Sequence, residues 1–523
     1  MRSSLRSLAP VLLLAAAPAA AQLGLVQTQA WSAAHPDLAT EPEADASLGH
    51  ALAVGDFDAD GFDDLAIGVP RRTVVTNADA GEVLVLYGGP GGLGAEGHQL
   101  WSQASPGVVD AAEIGDYFGW ALAAGDFDGD GDDDLAIGVP GEGFVGGDDA
   151  GAVNVLPGGP LGLSSDGDRL FHQNTTGIDD AVEAGDLFGY ALTAGDFDDD
   201  GIDDLAIGVP TEDVEGAPAF TDLGALHVLF GTALGLDVAG ARFYRPGDAV
   251  ISPTVQPENG KHFGFALVAA SILGGGLEVI AIGMPGATVG GDSDAGAVAM
   301  LANPAGGGIV FAYLTQDLSG DAEPDDRFGS ALAIGNFDGD NNSELVVGSP
   351  GEDLPGAAEA GDVRVFRGIA TESIEISLWT QDGVAGLESE TGDNFGHAFA
   401  IGDFDADGHD DLVVGIPGED YGVPGLDFGA GLVLYGGPFG LTPAGAQVLP
   451  LGVVQVEPDV AFGWSLAAGR FSGHSGSDLA ISLPEVEIEG EPGAGAVRIY
   501  ASIALFVDGF ESGDTSEWSQ EQP

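Results

Sequence analysis

The sequence predicts an all-β fold, a seven-bladed β-propeller of four-stranded antiparallel sheets. Two observations lead to this prediction: a long internal repeat, and four short apolar runs within each repeat. The repeat is marked by the motif [FL]-G-x-[AS]-[LF], which recurs at long intervals with its Gly at Gly49, Gly119, Gly189, Gly264, Gly329, Gly396 and Gly463. The intervals of 70, 70, 75, 65, 67 and 67 residues suit four strands with their turns.

The four runs are clearest in the second repeat. FGWALAAGDF (118–127) alternates apolar and polar residues, DDLAIGVP (133–140) is an apolar run ended by Pro, GAVNVLPG (151–158) alternates again, and DRLFHQ (168–173) is the fourth. Seven such sheets arranged radially cover one another's apolar faces and leave only short edges exposed. The repeat therefore predicts a closed ring of blades.

The seventh repeat ends with GAVRIYASI (495–503) and has no obvious fourth run. Before the first repeat, GLVQTQAWSA (24–33) resembles the fourth runs SLWTQD (377–382) and HQLWSQ (98–103). We therefore expect the N-terminal strand, around Gln27 to Trp31, to complete the seventh blade, and the propeller to cover residues 22–504.

The charge balance excludes several partners. The chain has 84 Asp and Glu residues against 13 Lys and Arg residues, for a net charge of −71. A polyanion would be repelled by this charge, which excludes nucleic acid and attraction to an anionic membrane surface.

The first 21 residues are typical of a signal peptide. Arg2 and Arg6 precede an apolar run from Leu8 to Ala17, and small residues follow up to Ala21. The run is too short to span a bilayer core of about 30 Å. We expect a secreted or cell-surface protein without membrane insertion, a monomer, with residues 505–523 as a flexible tail. The chain has no cysteine, so disulfides cannot staple it.

Acidic loops recur at one place in the repeats. In GDFDADGFDDLAIGVP (55–70), Asp residues occupy positions 1, 3, 5 and 9 counted from Asp56, and Gly61 occupies position 6. This spacing is that of the first half of a calcium loop, in which alternate carboxylates and one backbone carbonyl, at position 7, face the ion. A solvated acidic turn would explain one copy but not four.

The candidate calcium ligands fall in five loops. Four loops have the full set: Asp56, Asp58, Asp60, Phe62, Asp64; Asp126, Asp128, Asp130, Asp132, Asp134; Asp196, Asp198, Asp200, Ile202, Asp204; and Asp403, Asp405, Asp407, His409, Asp411. A fifth loop has Asn336, Asp338, Asp340, Asn342 and Glu344, with Asn341 replacing the turn Gly. It keeps three carboxylates, so we expect four calcium ions and a weaker fifth.

The two remaining loops have lost the pattern. The fourth repeat reads Ser271, Leu273, Gly275 and Val279 at these positions, and the seventh reads Arg470, Ser472, His474 and Asp478. No hard-cation site is expected in the fourth. In the seventh, the Arg470 guanidinium either replaces an ion by pairing with Asp478 or is simply exposed.

Catalytic motifs are absent from the sequence. Neither GxSxG nor HExxH occurs, and the nine His residues are scattered. The chain is therefore predicted not to be an enzyme. Catalytic carboxylates on a propeller face need no short motif, so an enzyme acting on polysaccharide stays open as an alternative.

The paired motifs Phe118-Gly119 and Gly138-Val139-Pro140, with their copies, resemble the FG-GAP repeats of the integrin alpha-chain β-propeller. The resemblance covers about residues 23–502. It implies a seven-bladed propeller with calcium in the hairpin loops of several blades and with partners bound on the opposite face. Because this chain has no cysteine, unlike integrin alpha chains, the resemblance supports fold and calcium more than integrin-type signalling.

The residue after each motif Gly forms a second candidate site. These residues are His50, Trp120, Tyr190, Phe265, Ser330, His397 and Trp464. The resemblance implies that they line the mouth of the axis, where a partner inserts a basic side chain. We therefore predict ligand binding at Trp120, Tyr190, Phe265, His397 and Trp464, since aromatic rings suit a cation or a sugar ring. Packing between blades is the alternative.

Export, fold and the absence of catalytic motifs favour an extracellular calcium-binding module for adhesion or for binding an extracellular protein or glycan. The alternatives are a carbohydrate-binding lectin and a polysaccharide-active propeller enzyme.

Overall fold

The structure is a computed structural model that describes residues 24–503, except 39, 179, 215–218, 249–250, 252–254, 273–277, 319–321, 341, 370–373, 421–426 and 451–459. The predicted signal peptide (1–21) and tail (505–523), together with Leu273, Gly275 and Asn341, lie outside the described residues. Within them, the secondary structure is 28 β-strands and one short 3-10 helix. None of the described helical segments has the length and apolar character needed to span a bilayer.

The first strand, β1 (Gly24–Trp31), precedes the first repeat. Blade 1 contains β2 (Leu52–Gly55), β3 (Asp64–Val69), β4 (Glu82–Tyr87) and β5 (Gly94–Trp101). Blade 2 contains β6 (Leu122–Gly125), β7 (Asp134–Val139), β8 (Ala152–Leu156) and β9 (Arg169–Phe171). Blade 3 contains β10 (Ala191–Gly195), β11 (Asp204–Val209), β12 (Ala225–Phe230) and β13 (Asp237–Tyr244).

Blade 4 contains β14 (Leu267–Ser271), β15 (Glu278–Met284), β16 (Ala297–Ala302) and β17 (Ile309–Leu314), followed by the 3-10 helix Gln316–Leu318. Blade 5 contains β18 (Ala331–Gly335), β19 (Glu344–Ser349), β20 (Asp362–Arg367) and β21 (Glu375–Trp379). Blade 6 contains β22 (Phe399–Gly402), β23 (Asp411–Ile416), β24 (Ala430–Tyr435) and β25 (Thr442–Pro450). Blade 7 contains β26 (Leu466–Gly469), β27 (Asp478–Leu483), β28 (Ala496–Ile503) and β1.

The blades form a closed ring. The first strand of each blade contacts the first strand of the next, from β2 through β6, β10, β14, β18 and β22 to β26, and β26 contacts β2 again. The first strands therefore surround the axis, and the predicted seven-bladed propeller is confirmed.

Each second strand is an apolar run because both of its faces are covered. The strand DLAIGV of blades 1, 2 and 3 is buried along its whole length, between its own sheet's neighbours and the adjacent blades. By contrast the outer strand β5 has no fully buried residue. The exposure of its residues alternates only weakly along the strand, because the outer edge of the blade faces solvent.

Two recurring glycines set the spacing between blades. Gly68 lies in β3, and a Cβ built on it would come within 2.1 Å of the carbonyl oxygen of Gly119, in the motif of the next blade. The same approach recurs between Gly138 and Gly189, Gly208 and Gly264, Gly283 and Gly329, Gly348 and Gly396, and Gly415 and Gly463. Gly119 also has a φ of 89°, which favours Gly. The glycines of the repeated motif therefore allow the backbones of neighbouring blades to come into contact.

The ring closes through the N-terminal strand, as predicted. β1 pairs antiparallel with β28, from Gly24 opposite Ile503 to Trp31 opposite Val497, with an irregularity between Gln27 and Gln29. Blade 7 is thus built from both ends of the propeller, and neither end can fray without exposing an edge of this sheet.

Deleting residues 22–33 should destabilise the ring. The deletion would leave β28 as an unpaired edge strand, and apolar edges promote association. We expect a lower melting temperature and concentration-dependent oligomers in size-exclusion chromatography. Adding a peptide of residues 22–33 should restore a monomeric profile. A truncated protein that stays monomeric and equally stable would contradict this role of β1.

Candidate metal centres

The acidic loops join the first and second strands of the blades. In blade 1, the backbone N–H of Asp60 donates to Asp56 Oδ1 at 3.1 Å and to Asp58 Oδ1 at 3.2 Å. Gly61 N–H donates to Asp56 Oδ2 at 3.0 Å, and Phe62 N–H donates to Asp60 Oδ1 at 2.9 Å. These bonds hold the carboxylates of positions 1, 3 and 5 around one short turn.

The turn depends on two left-handed residues. Gly61 at position 6 has a φ of 89°, and the corresponding Gly131, Gly201 and Gly408 also have positive φ. Position 4 is left-handed too, with a φ of 59° at Ala59. The predicted turn at Gly61 is therefore present, and a second left-handed residue, which the spacing alone did not indicate, tightens it further.

Carboxylate oxygens converge in four of the loops. In each, three side chains place one oxygen apiece within 4.8 Å of the others: Asp56, Asp58 and Asp64; Asp126, Asp128 and Asp130; Asp196, Asp198 and Asp204; and Asp403, Asp405 and Asp411. Calcium prefers such oxygen ligands, so the donor set fits this ion. Asp60, Asp134, Asp200 and Asp407 belong to the same loops but stand outside these groups of three.

The position-7 residues close the loops. Their N–H groups donate to the position-5 carboxylates: Phe62 at 2.9 Å, Asp132 at 3.1 Å, Ile202 at 2.9 Å, Asn342 at 2.9 Å and His409 at 2.9 Å. The predicted contribution of their carbonyl oxygens to a metal stays a prediction.

The Asp at position 9 also anchors the hairpin. Asp64 is fully buried, and its carboxylate accepts hydrogen bonds from Phe57 N–H at 2.8 Å and from Gly88 N–H at 2.7 Å. Asp134, Asp204 and Asp411 make the same pair of bonds. Burial, together with repulsion from the nearby Asp58 carboxylate, raises the pKa of Asp64 to about 8. A cation in the loop would remove this electrostatic cost.

The Asp at position 8 ties each loop to the preceding blade. Asp133 Oδ2 accepts a hydrogen bond from Asp56 N–H at 2.9 Å, and Asp133 N–H donates to the Asp56 carbonyl at 3.0 Å. The same pair of bonds joins Asp203 to Asp126, Asp410 to Asn336 and Asp63 to Arg470. The recurring Asp-Asp dipeptide therefore has two structural tasks besides any metal, and the calcium-loop spacing did not reveal the one at position 8.

The loop of blade 5 contains a guanidinium. Arg367, at the end of β20, contacts the Asp338 carboxylate directly, and its Nη2 lies 3.2 Å from Asp340 Oδ2. Its Nε lies 3.7 Å from Glu344 Oε1. The spacing of the acidic residues did not indicate Arg367, although an Arg at the place of Tyr87 and Tyr435 in other blades was a visible signal.

The loops of blades 4 and 7 do not gather carboxylates within the described residues. In blade 4, Ser271 ends β14 and Val279 lies in β15. In blade 7, Arg470 is exposed, and no ion pair joins it to Asp478 among the described residues. Asp478 instead accepts hydrogen bonds from Ser472 and from Ser502 N–H, the latter at 3.3 Å. Of the two interpretations of Arg470, the exposed side chain is therefore the correct one.

On the opposite face, the residues after the motif glycines form an aromatic belt, which we call the collar. Neighbouring ring centroids are separated by 4.4 Å (His50 and Trp120), 5.6 Å (Trp120 and Tyr190), 5.2 Å (Tyr190 and Phe265), 4.5 Å (His397 and Trp464) and 6.1 Å (Trp464 and His50). Ser330 interrupts the belt. All seven side chains are half-buried, so they pack against one another and still present surface at the axis. Burial lowers the pKa of His50 and of His397 to about 4, so both rings are neutral at pH 7.

Buried amide and carboxyl groups meet at four blade junctions, and we call these groups the junction clusters. In the first, Gln103 from blade 1 donates through Nε2 to Glu142 Oε2 of blade 2 at 2.7 Å, and oxygens of Glu113, Asp116 and Glu142 lie within 4.8 Å of one another. The clusters consist of Gln103, Asp116 and Glu142; Gln173, Asp186 and Glu212; Gln316, Asp326 and Glu352; and Gln381, Asp393 and Glu419. Every member is at most 7% exposed.

The carboxyl groups of the junction clusters are harder to ionise than exposed carboxyl groups. Burial, together with repulsion from Asp116, raises the pKa of Glu142 to about 8. Burial likewise raises the pKa of Asp116 to about 6. The calcium-loop spacing did not indicate these residues, but the pair of motifs D-x-F-G and G-x-P-x-E, which recurs in blades 2, 3, 5 and 6, could have indicated them.

Comparison with known proteins agrees with the geometry. The family model of the FG-GAP repeat matches residues 48–86, 118–156, 188–229, 328–366 and 395–434, which lie in blades 1, 2, 3, 5 and 6. Integrin alpha-PS2 of Drosophila melanogaster is 33% identical over 197 residues, covering 36% of this chain and 12% of that protein. Integrin alpha pat-2 of Caenorhabditis briggsae is 29% identical over 266 residues, covering 49% of this chain and 19% of that protein.

A different kind of protein is similar as well. Phosphatidylinositol-glycan-specific phospholipase D of Bos taurus is 32% identical over 179 residues, covering 33% of this chain and 19% of that protein. The aligned regions thus span 12–19% of the length of these three relatives.

The fold and the loops define a class, a seven-bladed β-propeller with acidic hairpin loops on one face. Within this class, the chain is an FG-GAP repeat protein that resembles the β-propeller of integrin alpha chains.

The junction clusters should make stability fall as pH rises. Glu142 and Glu419 have folded-state pKa values of about 8, whereas unfolded Glu titrates near 4.3. Between these values the folded state binds more protons, so its stability is greatest at the acid end of this range and is lost as pH rises toward 8. In saturating calcium, Glu142→Gln with Glu419→Gln should therefore lose less melting temperature between pH 5 and pH 8 than wild type.

The matched control is Glu96→Gln, which removes an exposed carboxyl and should follow the wild-type curve. A double variant whose melting temperature falls as steeply with pH as that of wild type would contradict the protonated state of these clusters.

Proposed function

We propose that this chain is an extracellular, calcium-stabilised module for binding or adhesion. The observation that carries the proposal is the convergence of three carboxylates at the same place in blades 1, 2, 3 and 6. The similarity to integrin alpha chains supports it, as does the predicted signal peptide. In this proposal the ions do not act on a substrate but hold the hairpins of a rigid scaffold.

The loops supply a physical reason for calcium. Several carboxylates within one short turn repel one another, and this repulsion is strong where burial lowers the local dielectric. Backbone N–H groups offset part of it, since they donate to Asp56, Asp58 and Asp64. Calcium would offset the rest and order the hairpins. Extracellular modules typically bind calcium with dissociation constants of about 10⁻⁴ to 10⁻³ M.

In this proposal, the partner binds to the face opposite the acidic loops. The connections between second and third strands and between blades are longer and more varied than the acidic loops, and varied loops on a rigid scaffold are the usual place for recognition. The collar lies on this face, at the start of the strands that surround the axis. Its neutral aromatic rings suit a cationic side chain or a sugar ring from an extracellular protein or glycan.

Two alternatives remain as candidate functions. A lectin would use the same collar for sugar rings. An enzyme is favoured by the similarity to phosphatidylinositol-glycan-specific phospholipase D, which covers a third of this chain. Binding on a glycan array would favour the lectin, and turnover on a panel of glycan, ester and phosphodiester substrates would favour the enzyme.

Removing calcium should lower the melting temperature. An ion present at about 100 times its dissociation constant stabilises the folded state by about 2.7 kcal/mol, so several ions should shift melting strongly. Asp58→Asn should reduce the effect by removing one ligand of one loop, whereas Asp37→Asn, an exposed acid outside the loops, should leave it unchanged. If a chelator does not change the melting temperature of the wild-type protein, calcium does not stabilise this fold.

Replacing the collar tryptophans should separate binding from packing. Trp120→Ala with Trp464→Ala is expected to abolish binding to a glycan array or a lysine-rich peptide while calcium-dependent melting is kept. Trp101→Ala, a half-buried Trp on the outer strand β5, is the matched control and should bind normally. Loss of stability with binding intact would show that the collar is only a packing layer.

A further inference from the structure

The end of the third strand lies beside the acidic loop in each blade that has one. In blades 1 and 6 this position is Tyr87 and Tyr435. Burial and the nearby carboxylates of Asp64 and Asp58 raise the pKa of the Tyr87 hydroxyl. Burial and the carboxylates of Asp411 and Asp405 raise the pKa of the Tyr435 hydroxyl. The other residues at this position are Pro157, Phe230 and Arg367. Of the five side chains, only Arg367 has a charge.

Arg367 reaches three of the five residues predicted to hold a metal in blade 5. Its guanidinium contacts Asp338, lies 3.2 Å from Asp340 Oδ2 and places Nε 3.7 Å from Glu344 Oε1. Both Asp338 and Glu344 are buried, so their charges need a partner inside the protein. The guanidinium is always charged and presents several donors, and it satisfies this need without an ion.

The donor set of blade 5 does not fit a calcium ion in the presence of this side chain. The guanidinium lies where an ion would lie: it donates a hydrogen bond to Asp340 Oδ2 at 3.2 Å, contacts Asp338 and places Nε 3.7 Å from Glu344 Oε1. Its positive charge repels a divalent cation. Consistently, within the described part of blade 5, residues 341 and 370–373 aside, no three carboxylates converge as they do in blades 1, 2, 3 and 6. The loop and the strand end are otherwise placed as in the other blades, since Phe337 N–H donates to Glu344 Oε2 at 3.1 Å.

We propose that Arg367 is a built-in cation that replaces calcium in blade 5, so that the residue at the end of the third strand decides whether a loop with the acidic pattern takes a metal. The inference rests on the proposed calcium function and deepens it. It divides the five acidic hairpins into two groups. The hairpins of blades 1, 2, 3 and 6 depend on calcium from outside the cell, and the hairpin of blade 5 stays ordered without it.

Reciprocal substitutions test this division by counting bound calcium in equilibrium dialysis at millimolar calcium. The wild-type protein should bind four ions. Arg367→Tyr, which gives blade 5 the side chain of blades 1 and 6, should bind five, the fifth more weakly because Asn336 replaces an Asp. Tyr435→Arg should bind three. Arg71→Gln removes an exposed guanidinium outside the loops and should still bind four.

Melting provides the second readout. In chelator, Arg367→Tyr and Arg367→Gln should melt below wild type because buried carboxylates lose their partner, and calcium should restore the difference. A wild-type protein with five ions, or an Arg367→Tyr protein with four ions and no calcium-dependent recovery, overturns the inference while the proposed function stands. A wild-type protein that binds no calcium overturns the proposed function and the inference together.

Discussion

The close backbone contact at six of the seven blade junctions is the constraint on which the rest of the structure depends. Gly68 in the second strand of blade 1 faces Gly119 at the motif of blade 2, so closely that a Cβ would lie 2.1 Å from a carbonyl oxygen. Real Cβ atoms do not tolerate such a distance, so Gly occupies this place at six of the seven junctions, and at the seventh Ser482 lies opposite Gly49. Since the contact recurs at six junctions, the second strand of one blade lies at nearly the same distance from the motif of the next around the ring.

Charge is the second constraint, since the chain has a net charge of −71 and the acids that it buries need compensating partners. The structure meets this need in different ways in different blades. Backbone N–H groups bind the position-9 carboxylates, and Arg367 enters the loop of blade 5. On the other face of blade 5, buried Arg364 lies 2.9 Å from Asp362 and 3.9 Å from Glu352. Where no basic side chain is present, a bound cation or a proton has to supply the missing charge.

The two faces of the ring consequently differ in chemistry. Loops between first and second strands collect exposed carboxylates on one face, whereas the junction clusters and the collar lie on the other. Blade 4 shows how the pattern is varied: Lys261 stands two residues before its motif Phe, where blade 2 has Asp116, and lies 3.2 Å from Glu258. The acidic face therefore concentrates carboxylates in its loops, and the opposite face combines buried polar clusters with an aromatic mouth.

The sequence by itself determined the number of blades, the order of strands, the closure by Gln27 to Trp31 and the position of the acidic loops. These features follow from periodicity and from spacings within one hairpin, so they can be counted along the chain. Only the tertiary structure decided that Arg367 enters the loop of Asp338, that Asp133 binds the backbone of Asp56 and that Gln103 meets Glu142. Each of these pairs joins residues from different strands or blades. Separation along the chain does not predict these contacts, because they form only when the strands have paired and the blades have packed. In the packed structure, the partner of a buried charge is the polar or oppositely charged group that the geometry places beside it.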